Sequence, residues 1–248
     1  MAIKVLVWDE YPGHAPKELY PTGIRGAVAE GLKALDTQNQ LDVQAVGLDE
    51  PEQGLPDDLL NSADVLIWWG HARHGEVNDE LAEKIKDRVH NHGLGFVCLH
   101  SGHYSKPFRA VLNATGHLKG GWREADPADT EEITVCATQH PIALGVSNFT
   151  LEQEEMYGGP FDVPPAEAMI FQSFFPLGGE YFPCGLVWTV GQGVDPEFTS
   201  GPGGGKGQGE GIGRVFYFRP GHETFGTYFH ESVKQIIYNG TLWAGKLA

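Results

Sequence analysis

Five histidines occupy positions from which they could act together in metal binding or catalysis. They are His14, His71, His100, His103 and His222, among the eleven histidines of the chain. Neutral imidazole ligates divalent transition metals, usually with a carboxylate completing the site, and without a metal it acts as a general acid or base near neutral pH. A single histidine at a strand end is more often a hydrogen-bonded loop residue, but five at one edge favour a shared site.

Two pairs of acidic residues are the nearest carboxylate candidates for such a site. Asp9 and Glu10 follow the first predicted strand, and Glu154 and Glu155 lie in the segment EQEEMYGG. Adjacent acids before a Met-Tyr-Gly-Gly sequence are unusual for a plain turn, although a solvated strand end is the alternative interpretation. Either pair could complete a metal site or supply a general base.

The predicted elements of the first hundred residues explain why the histidines would meet. Apolar runs predict strands at 3–8, 42–48, 64–69 and 95–100. Helical spacing predicts a helix over 22–36 and a second from a cap at Asn78 to Gly93. This alternation predicts a parallel, doubly wound sheet with right-handed crossovers. In such a sheet, ligands bind outside the carboxyl ends of the strands, where the five histidines would lie.

The second half of the chain has a different pattern. Short apolar runs with turn residues between them predict antiparallel strands added to the side of the main sheet, at 131–137, 148–153, 168–174 and 184–190. A strand at 213–218 and a helix over 224–244 follow. Because no linker or internal repeat is visible, we expect one domain spanning residues 1–248.

Charge and cysteine usage restrict the partners. Seventeen Lys and Arg against 33 Asp and Glu give a formal net charge of −16, so nucleic acid and anionic membranes would bind against the overall field. A neutral metabolite or a divalent cation suits this balance. The three cysteines, Cys98, Cys136 and Cys184, lie in apolar runs typical of small core residues in a reducing compartment. With no run near the ~20 apolar residues of a membrane span and no secretion signal, we expect a cytoplasmic protein.

A glycine-rich segment at 199–213 invites comparison with phosphate-binding loops. Gly205-Lys206 is followed by Gly207 instead of Ser or Thr, so the Walker pattern fails. The dinucleotide spacing G-x-G-x-x-G is absent from the segment, which precedes a strand instead of following one. We therefore expect no nucleotide cofactor, and we interpret the segment as a flexible surface loop or a lid.

Several segments in order resemble the ThuA-like proteins, named for trehalose utilisation: LHSGH, HPIALGVSNFTLEQEEMY, GRVFYFRPGHE and NGTLWAG. The resemblance implies a flavodoxin-like, class I glutamine amidotransferase-like fold, a three-layer α/β/α arrangement with a parallel central sheet and added antiparallel strands. It also implies a role in sugar catabolism, typically beside oxidoreductases that make keto-sugars. The positions that match the family are His71, His100, His103, Glu155, Tyr157 and His222.

The chain departs from the true amidotransferases at the nucleophile. Their strand-to-helix elbow reads G-x-C-x-G, whereas here L-H-S-G-H places His100 at the position of the cysteine. Arg219-Pro220-Gly221 stands where those enzymes have His-Pro-Glu. We therefore expect no glutamine amidotransferase activity. Ser101 lies one residue beyond the elbow position and Cys98 two residues before it, so both are weak alternatives as nucleophiles.

These observations predict an isomerase or hydrolase of a keto-sugar or disaccharide derivative, assisted by a divalent transition metal, zinc or manganese. The predicted site comprises His14, His71 and His222 as metal ligands, His100, Glu155 and Tyr157 as catalytic residues, and His103, Trp69 and Arg219 as substrate-binding residues. Trp68 and Trp122 also lie near the predicted edge and offer stacking faces, although most tryptophans belong in a core.

The alternative is a non-catalytic carbohydrate-binding or regulatory protein on an inherited enzyme fold. In either case the expected partner is a small-molecule sugar. Family analogy and the apolar terminal helix also predict a homo-oligomer.

Overall fold

The computed structural model describes residues 2–11, 15–191 and 212–248. The described strands are β1 (Ile3–Asp9), β2 (Leu41–Gly47), β3 (Val65–Trp69), β4 (Gly95–Leu99), β5 (Trp122–Arg123), β6 (Asp129–Val135), β7 (Phe149–Glu154), β8 (Met156–Tyr157), β9 (Ala168–Phe175), β10 (Glu180–Val190) and β11 (Gly213–Phe218). The described α-helices are α1 (Gly23–Leu35), α2 (Asp57–Asn61), α3 (Asp79–His92), α4 (Lys106–Leu112) and α5 (Glu231–Ala244).

The central sheet joins a parallel half to an antiparallel half. Its nine strands run in the order β2-β1-β3-β4-β11-β10-β9-β6-β7. The strands from β2 to β11 in this order are parallel, and β10, β9, β6 and β7 continue the sheet with antiparallel pairing. The predicted fold class is confirmed, since a mixed sheet of this order is the expected α/β arrangement.

The parallel strands are apolar because helices cover both of their faces. Every residue of β3 and β4 is buried, as expected for strands between two helical layers. In those layers α1 packs against α5, and α3 packs against α4. Trp8 and Trp68 stack in the core with ring centroids 3.6 Å apart, so Trp68 offers no face to a ligand.

The last helix is shorter than the sequence pattern predicts. It begins at Glu231 instead of residue 224, and Thr227–Phe229 forms a 3-10 turn before it. The His230 Nδ1 atom accepts a hydrogen bond from the Ser232 amide at 3.2 Å and caps the helix. Within residues 224–229, Thr227 and Tyr228 are buried, and the Thr227 hydroxyl donates to Glu154.

Three further predictions from the sequence have different outcomes in the structure. Cys98 and Cys184 are buried as predicted, but Cys136 is exposed because it lies just beyond the end of β6. The glycine-rich segment falls mainly on residues 192–211, outside the described residues, so its interpretation as a loop or lid stays a prediction. Within the described ranges, no helix is long and apolar enough to cross a membrane.

The first prediction concerns the contact between β4 and the end of α5. A Cβ atom on Gly95 would lie 2.5 Å from the Ala244 carbonyl oxygen, which is too close for any real contact. Gly95→Ala should therefore lower the free energy of unfolding by about 1–3 kcal/mol, as overpacking does. Gly75→Ala is the matched control, because a Cβ there meets nothing within 4 Å. Urea denaturation of both variants measures the difference; equal stabilities would contradict this account of the packing.

Candidate active site at the carboxyl ends of β3, β4 and β11

Three neighbouring parallel strands bring together a compact group of imidazoles and one carboxylate. His71 follows β3, His100 follows β4, and His222 and Glu223 follow β11. One donor atom from each of these four residues lies within 4.8 Å of the others. We call this group the histidine cluster. The cluster therefore lies at the carboxyl ends of parallel strands, where ligands bind in sheets of this kind.

The three rings of the cluster form a nearly equilateral triangle. Ring centroids are 4.9 Å apart for His71 and His222, 5.4 Å for His71 and His100, and 5.5 Å for His100 and His222. Adjacent rings are steeply inclined, with interplanar angles of 70° to 87°. The rings therefore meet edge to face instead of stacking on one another.

Each imidazole is oriented through its Nδ1 atom. His100 Nδ1 donates to the Arg219 carbonyl oxygen at 3.1 Å, and His71 Nδ1 contacts the Glu223 carboxylate directly. His222 Nδ1 accepts a hydrogen bond from the Thr224 amide at 3.3 Å, and the Thr224 hydroxyl lies 2.7 Å from the same nitrogen. Outer partners of this kind fix the tautomer and orientation of metal-binding histidines.

The backbone at His100 is held in an unusual conformation. Its φ angle is +52°, in the left-handed region that costs a non-glycine residue about 1–3 kcal/mol. This is the strained strand-to-helix turn that presents the nucleophile in enzymes with an elbow motif. The elbow geometry therefore accompanies L-H-S-G-H, with an imidazole in place of a thiol.

Burial and neighbouring charges set the protonation of the cluster. Burial, reinforced by the charges of His71 and His222, holds the pKa of His100 well below its usual range, and burial also lowers the pKa of His222. Although burial opposes it, the hydrogen bond with Glu223 raises the pKa of His71. Burial tends to raise the pKa of Glu223, but its hydrogen bond with His71 lowers that pKa to about 2. His100 and His222 are thus neutral imidazoles, and Glu223 is a carboxylate.

A second carboxyl group, that of Glu155, lies beside the cluster and lines a cavity with it. The cavity has a volume of about 290 Å³ and is lined by His71, Ser101, Tyr104, Leu118, Trp122, Glu124, Glu155, Tyr157 and His222. Glu155 Oε2 lies 3.5 Å from His100 Nε2, and the Tyr157 hydroxyl lies 3.4 Å from the same nitrogen. Burial raises the pKa of Glu155 to about 7, against the opposing charges of His71 and Arg219. A carboxyl group of this pKa can exchange protons near neutral pH.

A buried ionic network lies beneath the cluster. The Arg219 side chain has no solvent exposure, and its guanidinium contacts Glu131, Glu154 and the Glu155 carbonyl oxygen. Glu154 also accepts hydrogen bonds from the Gly221 amide at 2.9 Å and the Thr227 hydroxyl at 2.5 Å. The network ties the loop that carries His222 and Glu223 to the end of β7.

The loop that carries His71 is fixed from the first strand. Glu10 accepts hydrogen bonds from the backbone amides of Ala72, at 2.5 Å, and Arg73, at 3.0 Å. Asp9 accepts from the amides of Tyr11 and Arg25 at 3.2 and 3.0 Å. Both carboxylates bind backbone, so the acidic pair after β1 supports the site without supplying the carboxylate of the cluster.

The predicted site residues fall into three groups in the structure. His71 and His222 come together as predicted, and His100, Glu155 and Tyr157 lie beside them. His14 lies outside the described residues. Trp69, His103 and Arg219, expected to bind substrate, are all buried away from the cavity wall.

The positions of those three residues have physical explanations. The Trp69 indole stacks behind His100 and donates to the Gly221 carbonyl oxygen at 3.1 Å. His103 Nδ1 donates to the Gly116 carbonyl oxygen at 2.6 Å, inside a cluster of aromatic rings. Arg219 is held by the ionic network. The expectation that they contact substrate is corrected: each supports the site from behind.

The parts that two carboxylates play at the site are not predicted from the sequence. Glu223 is next to His222 in GRVFYFRPGHE, at the carboxyl end of a parallel strand, and that position is the signal that could have identified it. Glu131 gave no comparable signal, since it lies in β6 far along the chain from Arg219. Cys98 is fully buried within β4, and burial raises its thiol pKa well above the usual range, which disfavours the reactive thiolate.

Comparisons with known proteins agree with this fold. A ThuA-like protein of Parabacteroides merdae has a TM-score of 0.60 and 14% identity, with 99% of this chain and 90% of that chain covered. A ThuA-like protein of Bacteroides uniformis has a TM-score of 0.55 and 14% identity, with 98% and 91% covered. A glutamine amidotransferase of Thermotoga maritima has a TM-score of 0.50 and 13% identity, with 90% and 77% covered. At such identities these structures show a shared fold alone.

The sequence itself matches one family model over almost its whole length. No curated protein sequence is detectably similar to the chain. The family model ThuA, described as trehalose utilisation, matches residues 4–244. That range includes every residue of the histidine cluster and its cavity, and it indicates a role in sugar metabolism. The chain belongs to the ThuA, or trehalose-utilisation, family.

Proposed function

We propose that the protein is a metal-assisted acid–base enzyme that moves a proton next to the carbonyl group of a sugar. The observation that carries the proposal is the buried carboxyl group of Glu155, which lies 3.5 Å from His100 Nε2 and lines a small cavity together with His71 and His222. Membership of a trehalose-utilisation family supports a sugar as the substrate.

The donor set fits a divalent transition metal. One donor atom from each of the three imidazoles lies within 4.8 Å of those of the other two. The Nδ1 atoms of His71 and His100 are engaged by Glu223 and by the Arg219 carbonyl oxygen, which leaves Nε2 as the ligating nitrogen of these two rings. Three histidines with a further position open to water or substrate form a known type of catalytic zinc site, and imidazole suits zinc better than manganese. In this assignment His71, His100 and His222 hold the ion, and Glu223 orients His71.

This assignment changes the role expected for His100. From the sequence, His100 is expected to transfer protons. Its position in the cluster and its depressed pKa suit a neutral ligand better. Its Nε2 atom lies 3.5 Å from Glu155, which places any substrate oxygen bound at the cluster next to the proposed base.

The residues of the chain then divide the chemistry between them. A divalent ion bound at the cluster would polarise the carbonyl oxygen and so acidify the adjacent C–H bond. Glu155, as the carboxylate, removes that proton and returns it to the neighbouring carbon or oxygen. The Tyr157 hydroxyl, on the same cavity wall, donates a hydrogen bond to a substrate oxygen.

The second prediction tests the metal site. Purified protein should bind one equivalent of Zn²⁺, measured by elemental analysis and competition titration. His71→Ala and His222→Ala should each weaken binding at least about 100-fold, since changes to outer partners alone cost roughly 10- to 100-fold. Glu223→Gln should fall within that smaller range. His92→Ala is the matched control, because that side chain lies half-exposed at the end of α3. Full-affinity binding by the two alanine variants would refute the assignment.

The third prediction tests the base. Zinc-loaded protein incubated in D₂O with unphosphorylated ketoses and oxidised disaccharides should exchange a carbon-bound proton, followed by ¹H NMR. Glu155→Gln should slow exchange roughly 10²- to 10⁴-fold, the usual contribution of a general base, while zinc affinity is kept. Glu152→Gln, on the exposed face of β7, is the control and should exchange at the parent rate.

The same spectra separate the rival functions. Cleavage of the disaccharide without exchange would indicate a hydrolase. Sugars that bind but return unaltered would indicate the non-catalytic carbohydrate-binding protein. In both cases the proposed proton transfer would be wrong.

A further inference from the structure

Trp122 differs from the other tryptophans in its exposure. Its side chain is 62% exposed, whereas the other five are at most 7% exposed: Trp8, Trp68, Trp69, Trp188 and Trp243. A single exposed aromatic residue is common on protein surfaces and means little by itself. Its position and the way its backbone is held give it significance.

The backbone of Trp122 is fixed although its side chain is open. β5 pairs antiparallel with β8, with Trp122 opposite Tyr157. The neighbouring Arg123 side chain reaches Glu180 at 2.5 Å and Asp129 at 2.6 Å, which anchors the strand from its other face. The backbone of Trp122 is therefore held beside Tyr157. A ligand that stacks on the indole would order little additional backbone.

The indole forms part of the wall of the cavity that contains the proposed base. Trp122, Glu155 and the two cluster residues His71 and His222 line the same space. Its volume of about 290 Å³ is at the small end of the ~300–1,000 Å³ typical of ligand pockets. The space suits one sugar ring better than a larger ligand, and any further ring would extend outward past the exposed indole.

The charge around the cavity disfavours phosphorylated sugars. No Lys or Arg is among the described residues that line it, whereas Glu124 and Glu155 are. Arg123 is committed to two carboxylates, and Arg219 is fully buried in the ionic network. Phosphate recognition normally uses Arg, Lys or a set of backbone amides. A phosphate ester would instead meet the carboxylates.

We propose that Trp122 is a stacking platform that binds the apolar face of a neutral, unphosphorylated sugar ring at the mouth of the cavity. This inference rests on the proposed function, because it assigns the substrate class of the same site. The indole covers the C–H face of the ring, and the polar groups of the cavity reach the ring hydroxyls.

The fourth prediction uses Trp122 as its own reporter. Because the other tryptophans are buried, acrylamide quenches mainly Trp122 in the folded protein. Trehalose and methyl α-D-glucopyranoside should protect Trp122 from quenching in zinc-loaded protein, whereas glucose 6-phosphate should bind at least about 10-fold more weakly. By calorimetry, Trp122→Ala should reduce affinity for the neutral sugars roughly 10-fold, and Trp122→Phe should reduce it less. Tyr181→Ala, which removes an aromatic side chain that is 60% exposed elsewhere, should bind as the parent does.

The outcomes separate this inference from the proposed function. Unchanged sugar affinity in Trp122→Ala, equal or tighter binding of glucose 6-phosphate, or no saturable protection by either neutral sugar would overturn the stacking platform. Zinc affinity and proton exchange by the parent protein test the function and do not depend on these results. If exchange is observed, Trp122→Ala should raise KM and leave kcat nearly unchanged, and the opposite split would also overturn the inference.

Discussion

The architecture of the site depends on a single buried cation. Arg219 has no exposure to water, and a guanidinium in that position must be matched by acceptors, because an unpaired buried charge is strongly unfavourable. Glu131 and Glu154 supply the negative charge. Burial raises the pKa of the Glu131 carboxyl, and the guanidinium opposes that rise. Removing one partner of such a pair typically costs about 3–5 kcal/mol. The network therefore stabilises the folded state only when Arg219 and both of its carboxylate partners are present.

This network matters for chemistry because it connects separate parts of the chain. The Arg219 carbonyl oxygen orients His100, its guanidinium holds the Glu155 backbone, and Glu154 holds Gly221 and the turn at Thr227. A shift of Arg219 would thus move His100, the proposed base Glu155 and the loop of His222 together. Precise placement of catalytic groups generally needs such support from residues that never touch the substrate.

The sequence predicts the parallel half of the fold and the edge where the site lies, and physical reasons explain both. Apolar runs such as Val65–Trp69 are diagnostic because strands between two helical layers are buried on both faces and consist mostly of apolar residues. The topology then places His71, His100 and His222 at one edge without any knowledge of distances. Residue type alone misled at Arg219 and Trp69, which are large and partly polar side chains suited to ligand contact. Their burial depends on Glu131 and Gly221, which are remote in sequence and carry no local signal.

The backbone at His100 keeps the strained elbow geometry, although the side chain there is an imidazole instead of a thiol. A positive φ at this residue lifts the side chain clear of β4 and directs it to the edge shared with β3 and β11. With a thiol there, the position would carry a nucleophile that must reach the substrate. With an imidazole whose Nδ1 is already bound to a carbonyl oxygen, Nε2 is the reactive atom, and it lies between two other histidines and Glu155. The same elbow geometry that presents a nucleophile in covalent catalysis here presents an imidazole, as the proposed ion site requires.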